Sequence, residues 1–194
     1  PMPADGGGIT CSVCIANYNG MDLIDACIDS VRTQDCGFAV EIIVHDDAST
    51  DDSAAHIAAR HPDVRLIASR DNAGFCVANT RGVTAVHVPP VAFLRARYPQ
   101  VELLAGNENV GFCISNNRLG DHARGRFLLL LNNDAALHPG ALATLMQEAL
   151  RLRQPAILGL PQYDAETGDL LDIGSLLDPF FNAVPNRDPQ RGGV

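Results

Sequence analysis

Three apolar segments of this chain each end abruptly on a cluster of amide and carboxylate residues. Thr10–Ala16 runs into Asn17-Tyr18-Asn19-Gly20, Val40–His45 into Asp46-Asp47-Ala48-Ser49-Thr50-Asp51, and Phe127–Leu131 into Asn132-Asn133-Asp134. Segments this short and this apolar read as strands buried on both faces, the pattern of a parallel sheet. The intervals between them carry helical periodicity. Met21–Arg32 places Leu23, Ile24, Cys27, Ile28 and Val31 on one stripe, and Asp51–Arg60 reads as a helix capped by Ser49 or Thr50. Val64–Ala68 reads as a third short strand. His138–Arg153 reads as a helix with Pro139 in its first turn and Leu142, Leu145, Met146 and Leu150 inward. Ala156–Leu160 reads as a further short strand, and Pro161–Val194 as loops and a hairpin.

Strands alternating with helices give an α/β fold with a mainly parallel sheet flanked by helices. Parallel strands place all three clusters on one edge, and such sheets bind ligands beyond the carboxyl ends of their strands.

Composition narrows the function classes. With 46% apolar residues the chain has the material for a packed core, and its net charge of -9 argues against a nucleic-acid partner. There is no lysine, which excludes Schiff-base and P-loop lysine chemistry. No apolar run is long enough to span a bilayer, and Pro1–Gly8 lacks the features of a signal peptide and is expected to be a disordered tail. The six cysteines then read as reduced thiols of a cytoplasmic protein. Cys11 and Cys14 form a CxxC, but on a strand residues three apart point to opposite faces, so they read as core thiols.

One segment occurs twice at a constant offset of 37 positions, Asn109 against Asn72 and Val101 against Val64. The copies span 61–79 and 98–116, and they read as a tandem duplication of one strand-helix unit inside the sheet. The second copy, which runs directly into Phe127–Leu131, is expected to take the regular place, and the first to be the insertion. Phe75 and Phe112 within the copies read as core residues.

Each polar cluster alone is an ordinary turn or capping sequence. Together, on one edge, they suit a nucleotide diphosphate with a divalent metal. An aspartate can accept the N3 hydrogen of a pyrimidine, Tyr18 can pack on the base, and a carboxylate of the third cluster can hold Mg2+ or Mn2+ against phosphate oxygens. His45 reads as a strand-end residue and not a catalyst.

The segments CIANYNG, EIIVHDDASTDDS, NENVGFCISNN and FLLLLNNDA, spread over Ile9–Leu160, resemble the successive signatures of glycosyltransferase family 2, the rhamnosyltransferase-like branch in particular. The resemblance implies a GT-A fold and an inverting transferase of bacterial cell-envelope polysaccharide synthesis. It would be cytoplasmic, or peripheral at the inner face of the membrane. Its donor would be a UDP- or dTDP-sugar and its acceptor a glycan or lipid-linked saccharide. It also implies that Asn17 and Tyr18 line the base pocket, that Asp46, with Asp47 beside it, binds the pyrimidine, and that Asn109 and Gly111 pass near the ribose and sugar. Asn132 and Asp134 would stand at the metal motif, with Asn133 between them on the donor.

The division expected is 9–160 for donor binding and 161–194 for the start of an acceptor half. The general base, an aspartate in the family, is expected beyond Val194, and Asp164, Asp169 and Asp172 read as surface carboxylates. Leu170, Leu171, Leu176, Leu177, Phe180 and Phe181 would leave an apolar surface open to self-association. A nicotinamide dehydrogenase would need Gly-x-Gly-x-x-Gly after the first strand, and Asn17–Gly20 offers one glycine. A sugar nucleotidyltransferase would need a glycine-rich loop and a basic residue there. A non-catalytic nucleotide-binding domain is the other reading.

Overall fold

The computed structural model describes residues 8–68, 102–103, 111–152, 154–177 and 183–188. Its contacts divide the chain into two compact units, Pro1–Pro139 and Gly140–Val194. The division expected from the sequence lay twenty-one residues further on, at 160–161.

The first unit is a five-stranded parallel sheet. Its strands are β1 (Cys11–Asn17), β2 (Val40–Asp46), β3 (Arg65–Ala68), β4 (Glu102–Leu103) and β5 (Phe127–Asn132), in the order β4-β3-β2-β1-β5. Helices α1 (Ile24–Arg32), α2 (Ser53–Arg60) and α3 (Gly111–His122) connect them. The connections β1-α1-β2 and β2-α2-β3 step the same way, so right-handed crossovers place α1 and α2 on one face. The return to β5, on the far side of β1, puts α3 on the other. Leu119 of α3 accordingly packs with Cys14, Ile43 and Ile67. The strand order reverses beside β1, so the ligand-binding switch point lies between the carboxyl ends of β1 and β5.

The three strands before the clusters form where expected, each carried one residue further, to Asn17, Asp46 and Asn132. Other boundaries are corrected. Helix α2 begins at Ser53 after Asp52 in the left-handed region, with neither Ser49 nor Thr50 as its cap. Pro139 precedes helix α4 (Ala141–Arg151) of the second unit rather than sitting in its first turn, because Gly140 at φ 80° starts the helix after it. Ala156–Leu160 pairs with no strand. The expected tail hairpin is two antiparallel ribbons, β6 (Gln162–Tyr163) with β7 (Leu170–Asp172), and β8 (Ser175–Leu177) with β9 (Ala183–Pro185).

One hydrogen-bonded arrangement anchors the lower end of the sheet. Ser12 Oγ donates to Glu41 Oε1 at 2.6 Å and accepts from Gly125 N at 2.8 Å, while Arg124 N donates to Glu41 Oε1 at 2.7 Å. Gly125 is required there, since a Cβ would stand 2.5 Å from Ser12 N. Burial pushes the Cys11 and Cys14 thiols up to about 11, which leaves both protonated and unreactive. His45, buried on the α3 face, is pushed down to about 4 by burial and by Arg118 and His122, and so stays neutral.

The duplicated strands lie side by side. β3 of the first copy pairs with β2, and β4 of the second copy pairs with β3, Ile67 against Glu102 and Ala68 against Leu103. The helix that packs against β1 and β2 is α3, from the second copy. Among the described residues, the first copy supplies the strand beside β2 and the second copy the helix against β1 and β2. The inner strand is the first copy's and the helix is the second's, because an extra strand adds most easily at the open edge. Phe75 lies outside the described residues, as does the side chain of Phe112.

Deleting Arg70–Gly106 joins the end of β3 to the approach to α3 without changing the repeat phase. A folded four-stranded domain is expected, with far-UV circular dichroism and a cooperative melt like the parent's. An insoluble or non-cooperative product would show that both copies are integral to the core.

Candidate functional site

The site is built on the in-register ends of β1 and β2, where Asn17 stands opposite Asp46. In a parallel pair aligned residues project to the same face, so the two side chains meet. Asn17 Nδ2 donates to Asp46 Oδ1 at 2.8 Å. Ser49, where the chain turns back, donates to the same carboxylate twice, from Oγ to Oδ1 at 2.7 Å and from N to Oδ2 at 3.0 Å. Burial pushes the Asp46 carboxyl above its ordinary value, the bonds from Ser49 and Asn17 offset part of that, and Asp51 adds to it.

This geometry bears on two residues singled out by the resemblance. Asn17 and Asp46 are each only 1% exposed and their polar atoms bond to one another, to Ser49 and to Asn133. They lie beneath the edge and brace it. The residues that reach the edge are their neighbours: Tyr18, 48% exposed, and Asp47, half-buried, whose N–H donates to Asn17 O at 2.9 Å.

The loops leaving β1 and β2 are also joined. Asn19 N donates to Ser49 Oγ at 2.9 Å, Thr50 N to Asn19 Oδ1 at 2.7 Å, and Met21 N to Asp51 Oδ2 at 3.0 Å. Asn19, Ala48 and Asp52 all take positive φ, at 50°, 56° and 63°. Asn and Asp tolerate that region, whereas Ala48 is strained and is held there by the bonds on either side of it.

The third cluster comes to the same place. Asn133 Nδ2 donates to Asn17 Oδ1 at 2.9 Å, and the turn closes with Ala135 N donating to Asn132 O at 3.1 Å. Asn132 and Asp134 are exposed on either side of Asn133. Cys27 of α1 lies beneath, its Sγ 3.4 Å from Asn132 O, and burial together with the charge of Asp134 pushes its thiol up to about 12. Gly111 is the first residue of α3, and Asn109 lies outside the described residues. Sequence reasoning missed Gly20, Ser49 and the bracing role of Asn133. Gly20 reads as a turn glycine, yet a Cβ on it would stand 2.3 Å from both Asn133 Nδ2 and Asn17 Oδ1.

One group of three among the described residues has ligand atoms close enough to share a cation: Asp25, His56 and His61. Its surroundings are those of an ion-pair clamp. Arg32 Nη1 is 2.6 Å from His61 Nδ1, so that nitrogen accepts and the ring proton sits on Nε2, 2.7 Å from Asp25 Oδ1. His56 Nε2 is 2.8 Å from the same oxygen, and Arg60 Nε 3.0 Å from the other. A metal-bound imidazole presents its second N–H to an acceptor, and here a guanidinium stands in that position. The trio ties α1 to α2.

In the second unit, Asp164 Oδ1 accepts Glu166 N and Thr167 N, Asp169 accepts Thr167 Oγ1, and Asp172 Oδ1 accepts Gly174 N and Asn186 N. All three carboxylates shape turns. The side chains of Leu176, Leu177, Phe180 and Phe181 lie outside the described residues, while Leu171 is exposed.

Comparisons with known proteins bear on the fold. Residues 12–96 match the model of glycosyl transferase family 2. The fold is that of the GT-A glycosyltransferases. The chain is similar to S. aureus TarS 1-349 in complex with UDP-GlcNAc, with a TM-score of 0.54 and 17% identity, covering 82% of this chain and 36% of that one. It is also similar to the mannosyltransferase PcManGT from Pyrobaculum calidifontis in complex with GDP-Man and Mn2+, with a TM-score of 0.50 and 20% identity, covering 83% of this chain and 39% of that one. This chain thus spans less than two fifths of either solved protein. No curated protein matches it in sequence. No helix among the described residues is long and apolar enough to cross a membrane.

Two outcomes follow for the braces. Asp46→Ala strands the buried donors of Asn17 and Ser49, so the domain should lose about 3 kcal/mol of stability in urea denaturation. A parental midpoint with selective loss of pyrimidine nucleotides would instead return Asp46 to the ligand. For the clamp, burial works against the Asp25 carboxylate, but bonds from His61 and His56 prevail and hold it below its ordinary value. Its stabilisation is therefore full above the unfolded value of about 3.9 and is lost as pH falls through the lower folded value. Asp25→Asn should flatten the acid limb of the stability profile, and an unchanged limb would remove the clamp from the account.

Proposed function

We propose that this chain carries the donor-binding part of a family 2 glycosyltransferase, and that it takes a nucleoside diphosphate sugar with a divalent cation. The observation that carries this reading is the convergence of the three strand-end clusters at the switch point, braced through Asn17. Tyr18 and Asp47 then meet the base, with Asp47 replacing Asp46 as the acceptor for a pyrimidine N3 hydrogen, because Asp46 is buried beneath it.

Asp134 and Asn132 offer a carboxylate and an amide oxygen, a donor set that suits Mg2+ or Mn2+. A cation bound there would neutralise charge gathering on the departing diphosphate. The residues themselves hold the base, space the two ends of the donor and keep Asp134 on a fixed turn. Gly111 at the start of α3, with Asn109 before it, is assigned to the ribose and sugar side. In this reading the sugar passes with inversion to a glycan or lipid-linked acceptor, and the Asn-Asn-Asp form of the third cluster supports the rhamnosyltransferase-like branch. The support is the family match over 12–96 and two similar structures, one in complex with UDP-GlcNAc and one with GDP-Man and Mn2+.

Calorimetry with UDP, dTDP and GDP, with and without Mn2+, tests the reading. Asp134→Ala should abolish the metal-dependent part of the affinity. Asp47→Ala should weaken UDP and dTDP about tenfold even without metal, through loss of one hydrogen bond to a charged acceptor. Binding by both variants at the parent's affinities would overturn the assignment.

A further inference from the structure

We propose that Asn17 and Asn133 are positioning residues that couple nucleotide binding beside Asp47 to cation binding at Asp134, through an amide bridge for which Gly20 leaves the room. The inference rests on the donor-site reading above and deepens it.

Asn17 ends the one strand that has neighbours on both sides at the switch point, β2 and β5. Its side chain is a two-ended connector. Nδ2 donates to Asp46 Oδ1 at 2.8 Å and to Ser49 Oγ at 3.3 Å, and Oδ1 accepts Asn133 Nδ2 at 2.9 Å. The reverse orientation would set donor against donor at Asn133 and acceptor against carboxylate at Asp46, so the neighbours dictate it. At 1% exposure the amide is shielded from water that could replace these bonds.

Each end of the connector is one residue from a proposed ligand group. Asp47 follows Asp46 and is bonded to the Asn17 carbonyl, and Asp134 follows Asn133 within a closed turn. The separation of the two groups is therefore set through one planar amide. Gly20 is an independent sign that the bridge is built in. A Cβ there would fall 2.3 Å from both bridging atoms, so any other residue forces the asparagines apart. A nucleoside diphosphate and its cation form one rigid ligand that must satisfy both ends together. Loosening the bridge makes binding at one end pay for ordering the other, which reduces the cooperation between them.

The quantity to measure is the ratio of UDP affinity with Mn2+ to that without, by titration calorimetry on the whole chain. Asn133→Ala removes the donor, and Gly20→Ala splits the bridge while keeping both amides. In each variant the ratio should fall about tenfold, the scale of one buried hydrogen bond converted into coupling. Thermal melts confirm folding, and because Asn133 is only half-buried its variant provides the test if Gly20→Ala does not fold. A parental ratio in folded Asn133→Ala, whether or not both affinities drop together, would overturn the coupling and leave Asn133 as a simple contact. Failure of the parent to bind UDP, dTDP or GDP with or without Mn2+ is a separate result, and it would overturn the donor-site reading and the coupling with it.

Discussion

The bond from Asn17 to Asp46 is the contact on which the rest of the site depends. It exists because two parallel strands end in register with an amide opposite a carboxylate. Burying a carboxylate is costly. Three hydrogen bonds from Asn17 and Ser49 offset the cost. Those bonds fold the second polar loop back over β1, and the first loop then bonds to Ser49 and Thr50 in turn. The third loop joins through Asn133. The hydrogen bonds that stabilise the buried acid are the same ones that give the edge its shape.

The sheet shows why the duplication was accommodated. An edge strand presents a row of unpaired backbone groups, and a second copy of the same strand can pair with it without disturbing what lies inward. β4 does this on β3, on the side away from the switch point. The functional edge between β1 and β5 is three strands away from the added one.

Much of the fold was legible because apolar runs leave a plain record. Cys11–Ile15, Val40–Val44 and Phe127–Leu131 all form strands, but only the first two are interior: Phe127–Leu131 lies at the edge of the sheet with Leu128 and Leu130 exposed, contrary to the expectation of burial on both faces. Their polar successors followed directly, so the shared edge could be inferred from alternation of elements alone. Less legible were positions whose role depends on what approaches from elsewhere. Ser49 has the spacing of a helix cap, yet it turns inward because a buried carboxylate needs its donors more than α2 does. Pro139 suits a first turn, yet Gly140 in the left-handed region delays the helix. Gly20 looks like any turn glycine until Asn133 is brought beside it across more than a hundred residues. In the duplicated segment, adjacency to Phe127–Leu131 favoured the second copy, and it is the first copy's strand that pairs with β2.

The sequence by itself determined the parallel α/β sheet and the polar residue types at the ends of its strands. It also determined that the Cys11 and Cys14 thiols are buried by the apolar run around them. These are consequences of hydrophobic pattern, which is local. Only the tertiary structure decided which of two adjacent aspartates is structural. Asp46 aligns with Asn17 and is drawn under the surface, while Asp47, past the end of the pairing, is left half-buried at the edge. That choice turns on strand register and on donors contributed by other segments, and no residue carries it alone.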